Sequence, residues 1–261
     1  MTVLSVNLNK VALLRNQRDL SYPSVLDMAR TAIAAGARGI TMHPRPDERH
    51  IRKSDIHEMT EMLDREYPAR SGPENLRTIE FNIEGYPTED FMALIEAARP
   101  DQVTLVPDSP DQSTSDHGWD IPAHMDMLCR VVKQIHAIGA RAVLFVDDDP
   151  AMAGAAKATG TDRVELYTGP YHAGFSAGTG TQALKSFAAT AMAMREVGVG
   201  LNAGHDLNLD NLPEFLSTIP YIEEVSIGHA ITADALHMGM KATIETYVAI
   251  LNQNNHLRAA V

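Results

Sequence analysis

IGARAVLFVDDDP, residues 138–150, contains a complete change of secondary structure. Gly139 follows a helical stretch that ends at Ile138, and it suits a left-handed cap. Residues 142–146 are continuously apolar, as expected of a parallel strand buried on both faces. Pro150 then stands where the first turn of a helix tolerates proline. Helix, strand and helix follow one another within a few residues, which is how a βα unit reads.

Outward from this stretch the same punctuation recurs. Strands are expected near residues 4–8, 39–43, 77–83, 102–106, 142–146, 163–168, 200–203 and 223–227. Helices are expected near residues 23–35, 54–66, 88–98, 122–138, 150–159, 179–197, 211–218 and 232–252. Gly36 and Gly198 repeat the cap, Pro23 and Pro122 the first-turn proline, and ITM and VTLV the apolar run. Eight such units in 261 residues predict an α/β fold, a (β/α)8 TIM barrel forming one domain over residues 1–261. A doubly wound open sheet is the rival, but it usually needs fewer units and a glycine-rich first turn, which this chain lacks.

Composition narrows the function classes. A hydrophobic content of 44% is ample for a packed core. No apolar run reaches the roughly 18 residues of a membrane span, and MTVLSVNLNK lacks a basic region followed by a long apolar segment, so a cytoplasmic protein is expected. The one cysteine, Cys129, forbids an internal disulfide and is expected as core filler. A net charge of −12 argues against a nucleic-acid surface. Residues 1–53 nevertheless hold nine Lys or Arg against four Asp or Glu. Such a cluster suits a small anionic ligand, although a solvated face also accounts for it.

Five of the strands carry a group that can move a proton: His43, Glu80, Glu165, His205 and His229. Apolar strands rarely carry ionisable residues without a partner or a task. In a barrel, catalytic groups gather at the carboxyl ends of the strands. His43, His205 and His229 are expected there on strands two, seven and eight, while Glu80 and Glu165 lie within strands three and six. Loops 108–118 and 169–180 read as lids over that face or as ordinary surface loops. GHAIT, residues 228–232, leads into a helix whose first N–H groups favour an anion such as phosphate. In HPRPDERH, residues 43–50, Arg45 and Arg49 offer planar donors for phosphate or carboxylate, unless Asp47 and Glu48 occupy them. Histidine with glutamate fits either acid–base work or metal ligation, and no HxH or HExxH spacing supports the metal.

VNLNKVALLRNQR, GITMHPRPDERHI, VELYTGPYHAG, LNAGHDL and VSIGHAI, in this order and spanning nearly the whole chain, resemble the pyridoxine 5′-phosphate synthase family. The resemblance implies a barrel enzyme that condenses 3-amino-2-oxopropyl phosphate with 1-deoxy-D-xylulose 5-phosphate to give pyridoxine 5′-phosphate, phosphate and water. It implies no metal and no organic cofactor, and an assembly of dimers into a homo-octamer through helices added to the barrel. By the same resemblance His43 is the general base, Glu80 a second proton acceptor and His205 the proton donor, while Glu165 stabilises cationic intermediates. Asn7, Arg18, Arg45, His50, Thr114, Gly228 and His229 match positions that hold the amino-ketone phosphate.

The chain departs from the family pattern in three places. Asn9-Lys10 replaces an Asp-His pair that contacts deoxyxylulose phosphate, Asp206 replaces a glycine, and FNIEG follows the strand-three core. Asn9, Lys10 and Asp206 are still expected to bind substrate, with Lys10 holding an anionic or carbonyl oxygen of the second one. Two other readings stay open. One is a metal-dependent barrel hydrolase or isomerase built around His43, Glu80, Glu165 and His205. The other is a non-catalytic barrel that binds a phosphorylated metabolite.

Overall fold

The computed structural model describes residues 1–68, 77–108 and 115–259, with side chains through residue 255. Eight strands, β1 (Val3–Asn7), β2 (Gly39–Met42), β3 (Glu80–Gly85), β4 (Gln102–Leu105), β5 (Arg141–Val146), β6 (Arg163–Tyr167), β7 (Gly200–His205) and β8 (Glu224–Ile227), pair in parallel. Each bonds to the next, and β8 closes on β1 through Val3↔Glu224 and Val6↔Ile227, so the sheet is a closed barrel. The TIM-barrel expectation holds. Among the described residues no helix is long and apolar enough to cross a membrane.

Alternation along the strands separates two environments. Leu4, Val6, Ile40, Met42, Phe81 and Ile83 face the helices and are almost fully buried in the apolar core. Each such side chain contributes roughly 1.5–3 kcal/mol of burial energy. The alternate positions face the barrel axis and are largely polar. Ser5 shares a hydrogen bond with Thr41 at 2.7 Å, Asn82 donates to Thr41 at 3.3 Å, and Thr104 donates to Asn82 at 3.1 Å. The runs ITM and VTLV are therefore not buried against apolar neighbours on both faces, because the threonine in each turns into a polar interior. Buried polar groups persist there because they bond to one another.

Helices cover the outside, and their ends follow the sequence signals. Ser24 caps α2 (Val25–Ala34), Thr88 caps α4 (Glu89–Ala98) and Asp120 caps α5 (Ile121–Ala137), each accepting from the N–H three residues on. Gly139 and Gly198 adopt φ of +83° and +71°, the left-handed geometry expected of them. Pro23 falls before the Ser24 cap and not in the first turn. Cys129, expected in the core, is half-buried on α5 with its thiol 3.7 Å from Met125 Sδ.

Three helical features exceed the expectation. The β1 loop forms α1 (Asn9–Asn16), and residues 169–176 of the glycine-rich loop form α7 (Gly169–Ser176). The single helix expected over residues 232–252 is two, α10 (His229–Met238) and α11 (Met240–Ala259), divided at Gly239 with φ +78°. The rest of the helical layer is α3 (Lys53–Glu66), α6 (Ala153–Thr159) after a short 3-10 turn (Pro150–Met152), α8 (Gly180–Glu196) and α9 (Leu212–Thr218).

Candidate active site

At the carboxyl ends of the strands a cavity of about 300 Å³ opens. Asn7, Asn9 and Lys10 line it from β1 and the start of α1, and His43, Arg45 and His50 from the loop after β2. Glu84, Glu165 and His205 come from β3, β6 and β7, Asp206 from the residue after β7, Gly228 and His229 from the turn after β8, and Ser115 and Ser226 complete the lining. Of the expected site residues, Asn7, Asn9, Lys10, His43, Arg45, His50, Glu165, His205, Asp206, Gly228 and His229 thus meet in one place. Three do not.

Glu80 is the first residue of β3, at the opposite rim, and it accepts a charge-assisted hydrogen bond from Arg141. Glu224 lies beside it and accepts from Gln102 at 3.2 Å, and Asn202 donates to Gln102 at 3.4 Å. The physical reason is the period of the strand. Glu80, Asn82 and Glu84 all turn inward, but four residues of extended chain span about 13 Å, so only the last reaches the mouth. Glu84 stands where Glu80 was expected. The strand begins three residues later than the apolar pattern suggested, and the cue was the GYP stretch that follows Glu84 and ends the run. Arg18 lines a separate cavity of about 380 Å³ with Arg15 and Arg52. Thr114 lies outside the described residues.

Short bonds fix the first part of the mouth. Asn9 Oδ1 accepts from the His43 backbone N–H at 2.9 Å, and Asn7 Oδ1 accepts from Asn9 N at 3.0 Å. Asn7 Nδ2 donates to Glu84 Oε2 at 3.3 Å, and that oxygen lies 3.8 Å from His43 Nδ1. Asn9 is therefore a strut between β1 and β2, a task that needs only its carbonyl oxygen. The loop bearing His50 is held from α1: Asn16 Nδ2 donates to His50 O at 2.8 Å and Arg15, paired with Asp55, donates to the same oxygen at 3.2 Å. Ile51 N donates to His50 Nδ1 at 2.9 Å, so a neutral His50 carries its proton on Nε2. Arg45 pairs with Asp108, which also accepts from Ser115 Oγ at 2.7 Å.

Glycine supplies the remaining space. A Cβ at Gly204 would collide with Glu165 Oε1, and one at Gly228 would meet the Asn7 side chain at 3.0 Å. The carboxylate of Glu165 thus lies across β7, with Oε2 buried and lacking a hydrogen-bond partner.

Burial dominates the electrostatics. It pushes Glu84 up to about 8, with Asp108 adding to the rise and Arg45 opposing it. Glu165 is pushed well above the carboxylate range by burial and by Glu84. His43 is held well below the histidine range by burial, then by Arg45 and His50, and His50 itself falls to about 4 for similar reasons. His205 is lowered by burial against the opposing pull of Asp206 and Asp108. At neutral pH His43, His50 and His205 are therefore held neutral beside the protonated carboxyls of Glu84 and Glu165. Such a set can accept a proton at one atom and donate one at another. Among the described residues no three His, Cys, Asp or Glu side chains cluster closely enough to hold a metal ion.

A larger cavity of about 910 Å³ adjoins the mouth and shares His43 and Arg45 with it. Tyr86 stacks on Trp119 across its wall at 5.6 Å between ring centres.

Comparisons with known proteins bear on this geometry. The family model described as pyridoxal phosphate biosynthesis protein PdxJ matches residues 4–253. Pyridoxine 5′-phosphate synthase of Brucella anthropi is 51% identical over 249 residues, covering 95% of this chain and 98% of its own. The protein of the same name from Mesorhizobium japonicum is 50% identical over 246 residues, covering 94% and 96%. Among solved structures, thiamine phosphate pyrophosphorylase from Pyrococcus furiosus superposes with a TM-score of 0.56 at 16% identity, over 97% of this chain and 96% of that one. At that identity the likeness concerns the barrel alone.

Proposed function

The chain belongs to the family of the pyridoxal phosphate biosynthesis protein PdxJ, and from that membership and its site we propose that it is a pyridoxine 5′-phosphate synthase. It condenses 3-amino-2-oxopropyl phosphate with 1-deoxy-D-xylulose 5-phosphate, forming pyridoxine 5′-phosphate, phosphate and water. The observation that carries the reading is the meeting of His43, Glu84, Glu165 and His205 in one cavity with the cations Lys10 and Arg45.

The reaction joins an amine to a ketone, expels phosphate, closes a ring and loses water. Each step moves protons at a different atom, and one base cannot reach them all. His43, uncharged in the resting site, takes a proton from the substrate, and Glu84 at 3.8 Å is placed to exchange a proton with it. Glu84 therefore takes the role of second proton carrier. Glu165 holds its proton until a cationic imine forms nearby, when the positive charge draws the carboxyl down and the resulting carboxylate stabilises the cation. A phosphate dianion arriving in the mouth raises His205 and so equips it to donate.

Asn7, Arg45, His50, Gly228 and His229 are suited to hold the amino-ketone phosphate, with the first N–H groups of α10 aimed at an anion. Lys10 and Asp206 face the same cavity, and Lys10 is assigned to an anionic or carbonyl oxygen of the second substrate. Assembly of dimers into a homo-octamer, residence in the cytoplasm and one domain over the whole chain are part of the same proposal, resting on the family resemblance.

The test is direct. Incubation with both substrates should yield the pyridinol absorbance and one phosphate per product. Turnover that appears only after added zinc or manganese would favour the metal-dependent reading, and binding without turnover the non-catalytic one.

A further inference from the structure

His205 ends β7 with φ +79°, a left-handed backbone that costs a non-glycine residue energy and persists only where surrounding groups impose it. The peptide before it and the one after Asp206 are held by side chains from two different elements. Thr168 donates from Oγ1 to Gly204 O at 2.6 Å, and its backbone N–H reaches the same oxygen at 3.4 Å. Asn211 donates from Nδ2 to Asp206 O at 3.1 Å. Both side chains are fully buried.

Thr168 and Asn211 occupy the N-cap positions of α7 and α9, where such residues ordinarily bond to their own helix. Neither makes that bond; each turns its side chain to the β7 end. Asn211 is fixed in turn, because its Oδ1 accepts from Asn208 N at 2.8 Å and its carbonyl accepts from Tyr171 Oη at 2.8 Å. The imidazole is confined by Phe145 at 5.3 Å and by the edge-on ring of Tyr167 at 5.7 Å.

We propose that Thr168 and Asn211 are positioning residues that clamp the 204–206 turn, so that His205 keeps the left-handed backbone that aims its imidazole into the mouth. This rests on the reading of His205 as a proton donor. Neither clamp residue is among those lining the cavity, so their effect passes through the turn. A relaxed φ at His205 would swing the ring away from the substrate while leaving the phosphate-holding groups in place.

The experiment compares Thr168→Val, Thr168→Ser and Asn211→Asp with wild type for kcat, both KM values and melting temperature. Val matches Thr in shape and removes only the hydroxyl. The clamp predicts that Thr168→Val lowers kcat ~10-fold or more, as ångström-scale misplacement does, with each KM within about twofold of wild type. Ser restores most of kcat, and Asn211→Asp shows the same kcat loss because it deletes the donor. Wild-type kcat in Thr168→Val, or a loss that Ser does not rescue and that tracks a fall in melting temperature, overturns the clamp. His205→Gln separates the two readings. If it is inactive while Thr168→Val turns over normally, the clamp alone fails; if it turns over normally, the donor role fails and the clamp with it.

Discussion

Glu84 Oε2 stands 3.8 Å from His43 Nδ1, with both side chains buried at the barrel mouth and Asn7 donating to the same carboxyl oxygen. Burial places the proton on Glu84 and keeps it off His43 in the resting site. The pair can exchange a proton once substrate charge alters that balance.

One consequence concerns stability against pH. Glu84 titrates near 4.5 when unfolded and about 8 when folded, so the folded state retains an extra proton. The resulting stability is complete below the unfolded value and is lost as pH rises toward 8. Glu165, raised by burial, acts in the same direction. His50 acts oppositely, because its folded value of about 4 lies below the ordinary 6.5 and costs stability as pH falls between them. Urea midpoints measured across this range should fall toward alkaline pH in wild type and fall less in Glu84→Gln. Equal slopes in the two proteins would refute the burial argument.

Lys10→Ala tests the variant position. Among the described residues the Lys10 ammonium forms no ion pair, although it lines the mouth. Its removal should raise the KM for deoxyxylulose phosphate ~10-fold, with kcat changed less, as for a group that holds ground state and transition state alike. An unchanged KM would exclude the contact.

Gly204→Ala should be poorly tolerated, because the new methyl occupies the place of the Glu165 carboxylate. Overpacking of this kind costs about 1–3 kcal/mol, and the displaced carboxylate should also lower kcat. Thermal melting and steady-state kinetics on the same preparation check both effects. A variant with unaltered melting and turnover would show that Glu165 has room to move.

Much of this was legible in the chain. Apolar runs bounded by glycine and proline located all eight strands, since a buried parallel strand has few alternatives. Histidines at the ends of three of them marked the mouth. The end of β3 was misjudged because Glu80, Asn82 and Glu84 share one inward face, and period alone does not say which is nearest the rim. α7 was unreadable in GPYHAGFS, which is rich in glycine and weakly patterned. Tertiary packing decides it: Tyr171 sits in an aromatic cluster with Phe175, Phe187 and Phe215, and that burial outweighs poor helix propensity. The left-handed turn at His205 carries no local signal, because Thr168, which bonds to the Gly204 carbonyl beside it, lies 36 residues upstream of Gly204.

Glu80→Gln and Glu84→Gln, assayed side by side for pyridinol formation from both substrates, test the placement of the chemistry at the mouth most directly. Glu84→Gln should lose turnover by ~100-fold or more, in line with loss of a proton carrier. Glu80→Gln should turn over near the wild-type rate while melting earlier, since it weakens the pairing with Arg141 at the far rim. The reverse pattern, an inactive Glu80→Gln beside an active Glu84→Gln, would contradict it.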